Sequence, residues 1–344
     1  MMQKHPDRHT TWRFLFSVFL LCMAVFPLTA CGKTDHAETS SAGKIPETDN
    51  TGREEKEQIR IGFVVKENGR DYWIRMKKAA EQYCIENGAE LIYLAGTENA
   101  VAAEQINEVD QLIEEKADAI CISPVSDEMV YAALQRAHEK KIPIFAIDTD
   151  TAYENTTAYI GTDNRAAAKE GAEYAAGIIG AGGTAVILRG TLGDSVHDVR
   201  TEGITEGLTE QGITICRTLC TTPEETGNAV QTILQMYPGL DLLITTEDEI
   251  TYAAWKRVLA LGNTSVRLYG FDGTKEVAGL IAEKEQVIGT TAQFPEETGV
   301  KSIRTVLDFL EHGETKESIN TSYEIVTPET AAEYAARIPE ETEE

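Results

Sequence analysis

Charged and amide residues stand where the apolar runs of this chain end. The positions are Lys66 after "GFVV", Asp148 after "IFAI", Glu247 after "LLITT", Asp272 at the end of "LYGFD", Gln293 after "GTTA", and Arg200 downstream of "VILRG". In open α/β sheets, ligands bind beyond the carboxyl ends of the strands. If these runs are strands, the polar side chains gather at the sheet edges and could hydrogen-bond a small polar ligand.

Two adjacent rings lie in the first of these loops. The stretch "ENGRDYWIRM" (67–76) places Tyr72 and Trp73 between Arg70, Asp71 and the apolar face of a helix. Two rings at a helix start can pack in a core, or they can face a ligand. The local sequence leaves both interpretations open.

The apolar runs have the order expected of parallel sheets covered by helices. Runs rich in Val, Ile and Leu, such as 59–65, 184–190 and 266–272, alternate with segments of helical periodicity such as 163–180. That alternation is typical of a parallel sheet buried on both faces. Because the series occurs twice in tandem, the sequence predicts an α/β fold with two doubly wound lobes.

The first thirty residues (1–30) are typical of a signal peptide. Basic residues precede the apolar run "FLFSVFLLCMAVF" (14–26), and small residues follow it. This is the pattern of an export signal, and the run is shorter than the roughly 20 residues that span a membrane. The segment "LTAC" (28–31) resembles a bacterial lipobox, which implies a lipid on Cys31 and a tether outside the cytoplasmic membrane.

Both ends of the mature chain read as solvated segments. Residues 31–57 contain Ile45 as their only large apolar side chain, and 339–344 read "PEETEE". Such stretches cannot bury enough apolar surface to offset the entropy of ordering. We predict a disordered, lipidated tether and a short C-terminal tail.

Composition and motifs argue against several function classes. The net charge of −26 is unsuited to nucleic acid, which is bound by clustered Lys and Arg. "GAGGT" (180–184) precedes a strand, whereas the dinucleotide motif follows one. "DTDTAYENT" (148–156) lacks the Gly and Glu of a calcium loop, and His138 and His197 lack ligand spacing. We therefore expect no nucleic-acid partner, no cofactor, no metal and no catalytic activity.

Several motifs together resemble one family. They are "AIDTDTAYENTTAYIGTDN" (146–164), "RTEG" (200–203), "TEDE" (246–249), "YGFDGT" (269–274) and "TTAQFPEETG" (290–299). In this order they are similar to the sugar-binding type I periplasmic-binding proteins, above all the ribose-binding proteins of ABC transporters. The resemblance covers about residues 58–327. It implies two lobes that are joined by a three-crossing hinge and close on a sugar.

The resemblance also implies roles for individual residues. Tyr72 and Trp73 match paired aromatics that sandwich a sugar ring. Asp148, Asp272 and Arg200 match residues that hydrogen-bond its hydroxyls, for which carboxylates and the Arg fork are suited. The remaining predicted ligand-binding residues are Lys66, Arg70, Asp150, Glu247 and Gln293, the last as a hinge-side amide.

Three departures from the ribose-binding pattern bear on the ligand. Thr149 and then Asp150 follow Asp148 where an Arg is usual, while Glu247 and Arg70 replace two expected Asn residues. A site with unpaired polar groups rejects the wrong ligand strongly, so ribose itself is not expected. A hexose, an inositol-like polyol, an amino sugar and a signal sugar all stay open, and Lys66 resembles a Lys of autoinducer-2 binders.

The resemblance sets the expected domains and partners. We predict an N-terminal lobe of 58–162 plus 294–322 and a C-terminal lobe of 163–293 plus 323–338. A monomer would deliver its ligand to the membrane permease of an ABC importer. The alternative is a sensory protein that presents a sugar or autoinducer-like signal to a membrane receptor or kinase.

Overall fold

The computed structural model describes residues 58–97, 102–283 and 286–339. The elements in chain order are β1 (Arg60–Val65), α1 (Asp71–Glu86), β2 (Glu90–Ala95), α2 (Ala102–Glu114), β3 (Ala119–Ile122), α3 (Asp127–Glu139), β4 (Ile144–Ile147), β5 (Ala158–Thr162), α4 (Asn164–Ile179), β6 (Thr184–Arg189), α5 (Ser195–Glu210), β7 (Thr214–Cys220), α6 (Pro223–Met236), β8 (Leu242–Thr245), α7 (Asp248–Ala260), β9 (Arg267–Asp272), α8 (Lys275–Glu283), β10 (Val287–Gln293), α9 (Pro295–His312), β11 (Ser318–Thr321), β12 (Tyr323–Val326) and α10 (Ala331–Arg337).

The strands form two sheets with the same order. The first is β11-β5-β4-β3-β1-β2, and the second is β12-β10-β9-β8-β6-β7. Every neighbouring pair is parallel except β10 and β12. The predicted α/β fold with two doubly wound, parallel-sheet lobes is therefore confirmed.

Alternate residues of the central strands pack into two hydrophobic cores in each lobe, one on each face of the sheet. On β1, Ile61, Phe63 and Val65 pack in a cluster with α1 and α9, whereas Val64 packs with α2 and α3. Since successive strand side chains point to opposite faces, a strand covered on both sides must be apolar at every position. This explains the unbroken apolar runs in the sequence.

The chain passes between the two sheets at three places. It leaves the first sheet after β5, returns between β10 and α9, and crosses again between β11 and β12. The last two strands lie at the sheet edges, where β11 pairs with β5 and β12 pairs with β10. The three crossings lie side by side, which is the hinge that the fold class implies.

Two glycines set the position of α5, the helix that carries Arg200. A Cβ atom at Gly203 would lie 2.3 Å from the main-chain oxygen of Arg165, and one at Gly207 would lie 2.5 Å from that of Lys169. Both oxygens belong to α4. The two helices therefore pack closely, and Arg200 is held one turn from the contact.

The predicted runs 59–65, 184–190 and 266–272 match β1, β6 and β9 to within one residue at each end, but β11 and β12 were not predicted. The β11 sequence "SINT" carries only one large apolar side chain and lies at a sheet edge.

Cys84 and Cys121 are buried, and all four cysteines of the described ranges are free thiols. In those ranges no helix is long and apolar enough to span a bilayer. The predicted signal peptide, the tether and Cys31 lie outside the described residues.

Candidate ligand-binding cleft

Three predicted residues form a hydrogen-bonded group on the C-terminal lobe. Arg200 Nη1 donates to Asp272 Oδ1 at 3.0 Å, and Gln293 Nε2 donates to the same oxygen at 2.8 Å. Asn164 Oδ1 accepts from Arg200 Nε at 2.9 Å, and the main-chain oxygen of Thr246 accepts from Nη1 at 2.8 Å. Arg200 is 4% exposed. Its orientation is therefore set by α4 and by the ends of β8 and β9.

A second group lies on the N-terminal lobe around Asp148. The Tyr72 hydroxyl donates to Asp148 Oδ1 at 2.7 Å, while Ser123 and Thr149 donate to Oδ2 at 3.1 and 3.0 Å. The Tyr159 hydroxyl lies 2.9 Å from the main-chain oxygen of Asp148. All the side-chain donors to this carboxylate are neutral hydroxyls, which a ligand hydroxyl could join or replace.

The two adjacent rings do not form a sandwich. Tyr72 and Trp73 contact each other edge to face, with centroids 5.0 Å apart and planes at 90°. Trp73 is 6% exposed and packs in the N-terminal core with Met76 and Phe145. Two rings that cover opposite sides of one sugar would have to be parallel, so this expectation is corrected. Tyr72 is the ring that meets the polar group, and Trp73 supports it from the core.

The carboxyl edges of the two lobes touch. Lys66, which follows β1, places Nζ 2.5 Å from Oδ2 of Asp194, the residue that caps α5 on the other lobe. Ser195 Oγ donates to the main-chain oxygen of Asp150 at 3.1 Å, again between lobes. Both side chains of the first pair are nearly buried, at 12% and 14% exposure. The structure is therefore a closed form in which Lys66 is engaged by the opposite lobe.

Arg70 also reaches across the cleft, toward a group of carboxylates. Its Nη1 lies 3.2 Å from Glu249 and 3.9 Å from Glu247, while Nε contacts Glu67 on its own lobe. Burial, with the nearby charges of Glu249 and Asp272, raises the pKa of Glu247 to about 8, although Arg70 opposes this. Arg70 is 44% exposed, so it lies at the rim of the cleft.

Burial is also the main cause of the shifted pKa values of Asp272 and His197. It raises the pKa of Asp272 to about 6, against the opposing charge of Arg200. It lowers the pKa of His197 to about 3, so this imidazole is neutral at pH 7. His197 Nδ1 lies 2.9 Å from Thr246 Oγ1, next to the oxygen that holds Arg200. The cleft residues Asp272 and His197 therefore lie in a buried, polar environment.

Asp150 lies apart from the converging residues. It is exposed and lines an open groove of about 520 Å³ beside the hinge, with Asp127, Asp163, Arg165 and Asn320. Its own carboxylate accepts from the main-chain nitrogen of Thr151 at 2.8 Å. The structure thus brings together Lys66, Arg70, Tyr72, Asp148, Arg200, Glu247, Asp272 and Gln293, whereas Trp73 and Asp150 stand to either side.

Sequence reasoning did not single out Asp248, Asp194 and Asn164. Asp248 is fully buried, and its Oδ2 accepts from the main-chain nitrogens of Gly273 and Thr274 at 2.9 and 2.8 Å. These contacts fix the turn directly after Asp272. Asp248 lies inside the "TEDE" motif, which was the available signal. In the described part of the chain, no group of three or more His, Cys, Asp or Glu side chains could hold a metal ion.

The fold and the cleft define a two-lobed solute-binding protein, and the family comparison agrees. The sequence model of the periplasmic binding protein domain family matches residues 61–315, so the chain belongs to that family. This confirms the resemblance that the motifs predicted.

Three similar proteins are distant from this chain in sequence. The ribose import binding protein RbsB of Salmonella typhimurium is 24% identical over 246 residues, covering 71% of this chain and 82% of the relative. RbsB of Bacillus subtilis is 22% identical over 312 residues, covering 90% and 97%. An ABC transporter solute-binding protein of Agrobacterium vitis, solved with α-D-tagatopyranose, superposes with a TM-score of 0.77 at 21% identity, over 82% of this chain and 99% of that one.

Proposed function

We propose that this protein is an extracytoplasmic substrate-binding protein of an ABC importer, and that it captures a sugar or sugar-like molecule between its lobes. The observation that carries the proposal is the meeting of Asp148 from one lobe with Arg200, Asp272 and Gln293 from the other. The Tyr159 hydroxyl joins the two groups, since it lies 2.9 Å from the main-chain oxygen of Asp148 and 3.3 Å from Nδ2 of Asn164, the residue whose Oδ1 accepts from Arg200. The relatives named for ribose import support the same class of ligand.

The chemistry of the cleft suits a molecule with several hydroxyl groups. Each carboxylate can accept from two adjacent hydroxyls, and the guanidinium of Arg200 donates from a fixed plane. Because these groups are held by the protein, little side-chain entropy is lost when a ligand binds. A ligand that joins both groups favours the closed form, and this closure is the signal that a permease would read.

The location and the domain boundaries belong to the same proposal. Cys31 would carry lipid and 31–57 would tether the folded part outside the membrane. The lobes would comprise 58–162 with 294–322 and 163–293 with 323–338. The crossing points between β5 and α4, β10 and α9, and β11 and β12 support this division.

A thermal-shift panel on the purified protein tests the proposed function. The panel contains pentoses, hexoses, polyols, amino sugars and autoinducer-2 candidates, with amino acids and dipeptides as the contrasting class. A ligand at 100 times its dissociation constant stabilises the folded state by about 2.7 kcal/mol, which raises the melting temperature by several degrees. A clear rise with one carbohydrate supports the proposal. A rise confined to the amino acids or dipeptides contradicts it.

A further inference from the structure

Each cation in the cleft is already paired with a protein carboxylate. Lys66 Nζ lies 2.5 Å from Asp194, and Arg200 Nη1 lies 3.0 Å from Asp272. Arg70 contacts Glu249 at 3.2 Å as well as Glu67. A phosphate or carboxylate on a ligand would therefore have to displace one of these pairs. The cleft therefore does not favour the binding of an anionic ligand group.

Glu247 is a cleft carboxylate that is paired only loosely among the described residues. Its side chain is 14% exposed, and the cation it meets among the described residues is Arg70, at 3.9 Å. Glu247 occupies the N-cap position of α7, yet its side chain makes no capping hydrogen bond. Its oxygens are thus not used by the helix that it precedes. A buried carboxylate in such a place is unfavourable unless a positive group pairs with it.

The surroundings of Glu247 add to the excess of negative charge. Burial raises its pKa to about 8, and the charges of Glu249 and Asp272 act in the same direction. Across the cleft, the Asp148 carboxylate accepts from Tyr72, Ser123 and Thr149, which are all neutral donors. The closed cleft therefore has acceptors on both sides, and in the described part of the chain Lys66, Arg70 and Arg200 already have carboxylate partners.

We infer that the ligand is a polyhydroxylated molecule that carries a cationic amino group, and that Glu247 binds this group. The inference rests on the proposed function, because it concerns the ligand of the same cleft. An ammonium supplies three donors, and its hydrogen bonds to a carboxylate are stronger than those of a hydroxyl. The hydroxyls of the ligand then hydrogen-bond to Asp148, Arg200, Asp272 and Gln293.

Calorimetric titration with matched ligand pairs tests the inference. The pairs are glucosamine and glucose, galactosamine and galactose, and an aminocyclitol and myo-inositol, each measured at pH 7, with glucose 6-phosphate as the anionic member. In at least one pair the aminated member binds about tenfold tighter, which is about 1.4 kcal/mol. Neutral members that bind as tightly as their aminated partners in every pair overturn the inference but leave the proposed function intact. Failure of every carbohydrate to bind overturns both.

Two charge-matched variants separate contact from overall charge. Glu247→Gln weakens binding of the preferred aminated ligand about tenfold and leaves its neutral counterpart within about threefold. Glu249→Gln removes the same charge from the cleft rim, where its partner is Arg70, and retains the preference for the amine. Equal loss of preference in both variants contradicts a direct contact with Glu247, as does a preference unchanged in Glu247→Gln.

Discussion

Asp148 and Asp272 hold equivalent positions in the two lobes. Each stands at the carboxyl end of the third strand in its sheet order, β4 in one lobe and β9 in the other. Each also has a positive backbone φ, 61° for Asp148 and 117° for Asp272. Non-glycine residues rarely adopt this conformation, which costs about 1–3 kcal/mol. One strained carboxylate from each lobe is thus presented to the same cleft.

Asp272 variants separate the role of the carboxylate from that of the backbone. Asp272→Ala and Asp272→Gly both leave buried Arg200 without its partner, which destabilises the fold by about 3–5 kcal/mol. Both also remove a ligand acceptor, so we expect ligand affinity to fall at least 100-fold. Glycine tolerates the positive φ, so the Gly variant is more stable than the Ala variant by about 1 kcal/mol. Urea unfolding and calorimetry measure the two effects. Retained binding in either variant, or an Ala variant at least as stable as the Gly variant, contradicts the assignment.

Lys66 and Asp194 act as a pair that favours the closed form. Lys66→Met and Asp194→Asn each weaken the affinity for the strongest ligand about tenfold or more, because each leaves one charge buried and unpaired. The double variant loses less than the sum, with a coupling of about 1–3 kcal/mol. Calorimetric titration of the parent protein, the two single variants and the double variant gives the four affinities of the double-mutant cycle. Lys169→Met, which removes an exposed pair within the C-terminal lobe, is the control and binds like the parent protein. Additive losses at Lys66 and Asp194 refute the coupling.

Asp248 holds the turn that presents Asp272. Asp248→Ala leaves the main-chain nitrogens of Gly273 and Thr274 without their acceptor, and each buried unsatisfied group costs about 1–3 kcal/mol. We expect destabilisation of about 3 kcal/mol together with weaker ligand binding. Asp248→Asn keeps one oxygen acceptor and loses less than half as much stability in urea unfolding. Similar losses of stability in the two variants would show that the side-chain oxygen acceptor at position 248 does not hold the turn.

The raised pKa of Glu247 predicts a fold that weakens at alkaline pH. The ordinary pKa is 4.5 and the folded value is about 8, so at pH 6.5–8 the folded state holds a proton that the unfolded state has released. Stability therefore falls as pH rises through this window, by up to about 1 kcal/mol per pH unit. The lowered pKa of His197 acts below pH 6.5 with the opposite sign, since stability there is lost as pH falls.

Urea midpoints at three pH values between 6.5 and 8 check this titration in the ligand-free protein. Glu247→Gln reduces the change of the urea midpoint with pH. Glu225→Gln, at an exposed position on α6, leaves the slope of the parent protein unchanged. A parent protein whose stability is flat or rising over this range is inconsistent with a buried, protonated Glu247. The charged groups that act on it are Arg70, Arg200, Glu249 and Asp272.

The sequence was most informative about the strands and their ends. An apolar run that ends in a charged or amide residue indicates a buried strand and its carboxyl end, which is why Asp148, Asp272 and Gln293 could be named from the sequence. Contacts between lobes carry no such local signal. Lys66 and Asp194 are 128 positions apart, so their pairing depends on how the lobes close. The perpendicular packing of Tyr72 on Trp73 likewise depends on the core beneath it.

A crystal structure of the protein with its strongest carbohydrate ligand would show directly whether the ligand binds in the cleft. We expect a ligand enclosed between the lobes, with hydroxyls bonded to Asp148, Asp272 and Arg200 and with Gln293 within hydrogen-bond distance. A ligand seated instead in the groove lined by Asp127, Asp163 and Asn320, or on the outer surface of either lobe, would contradict it.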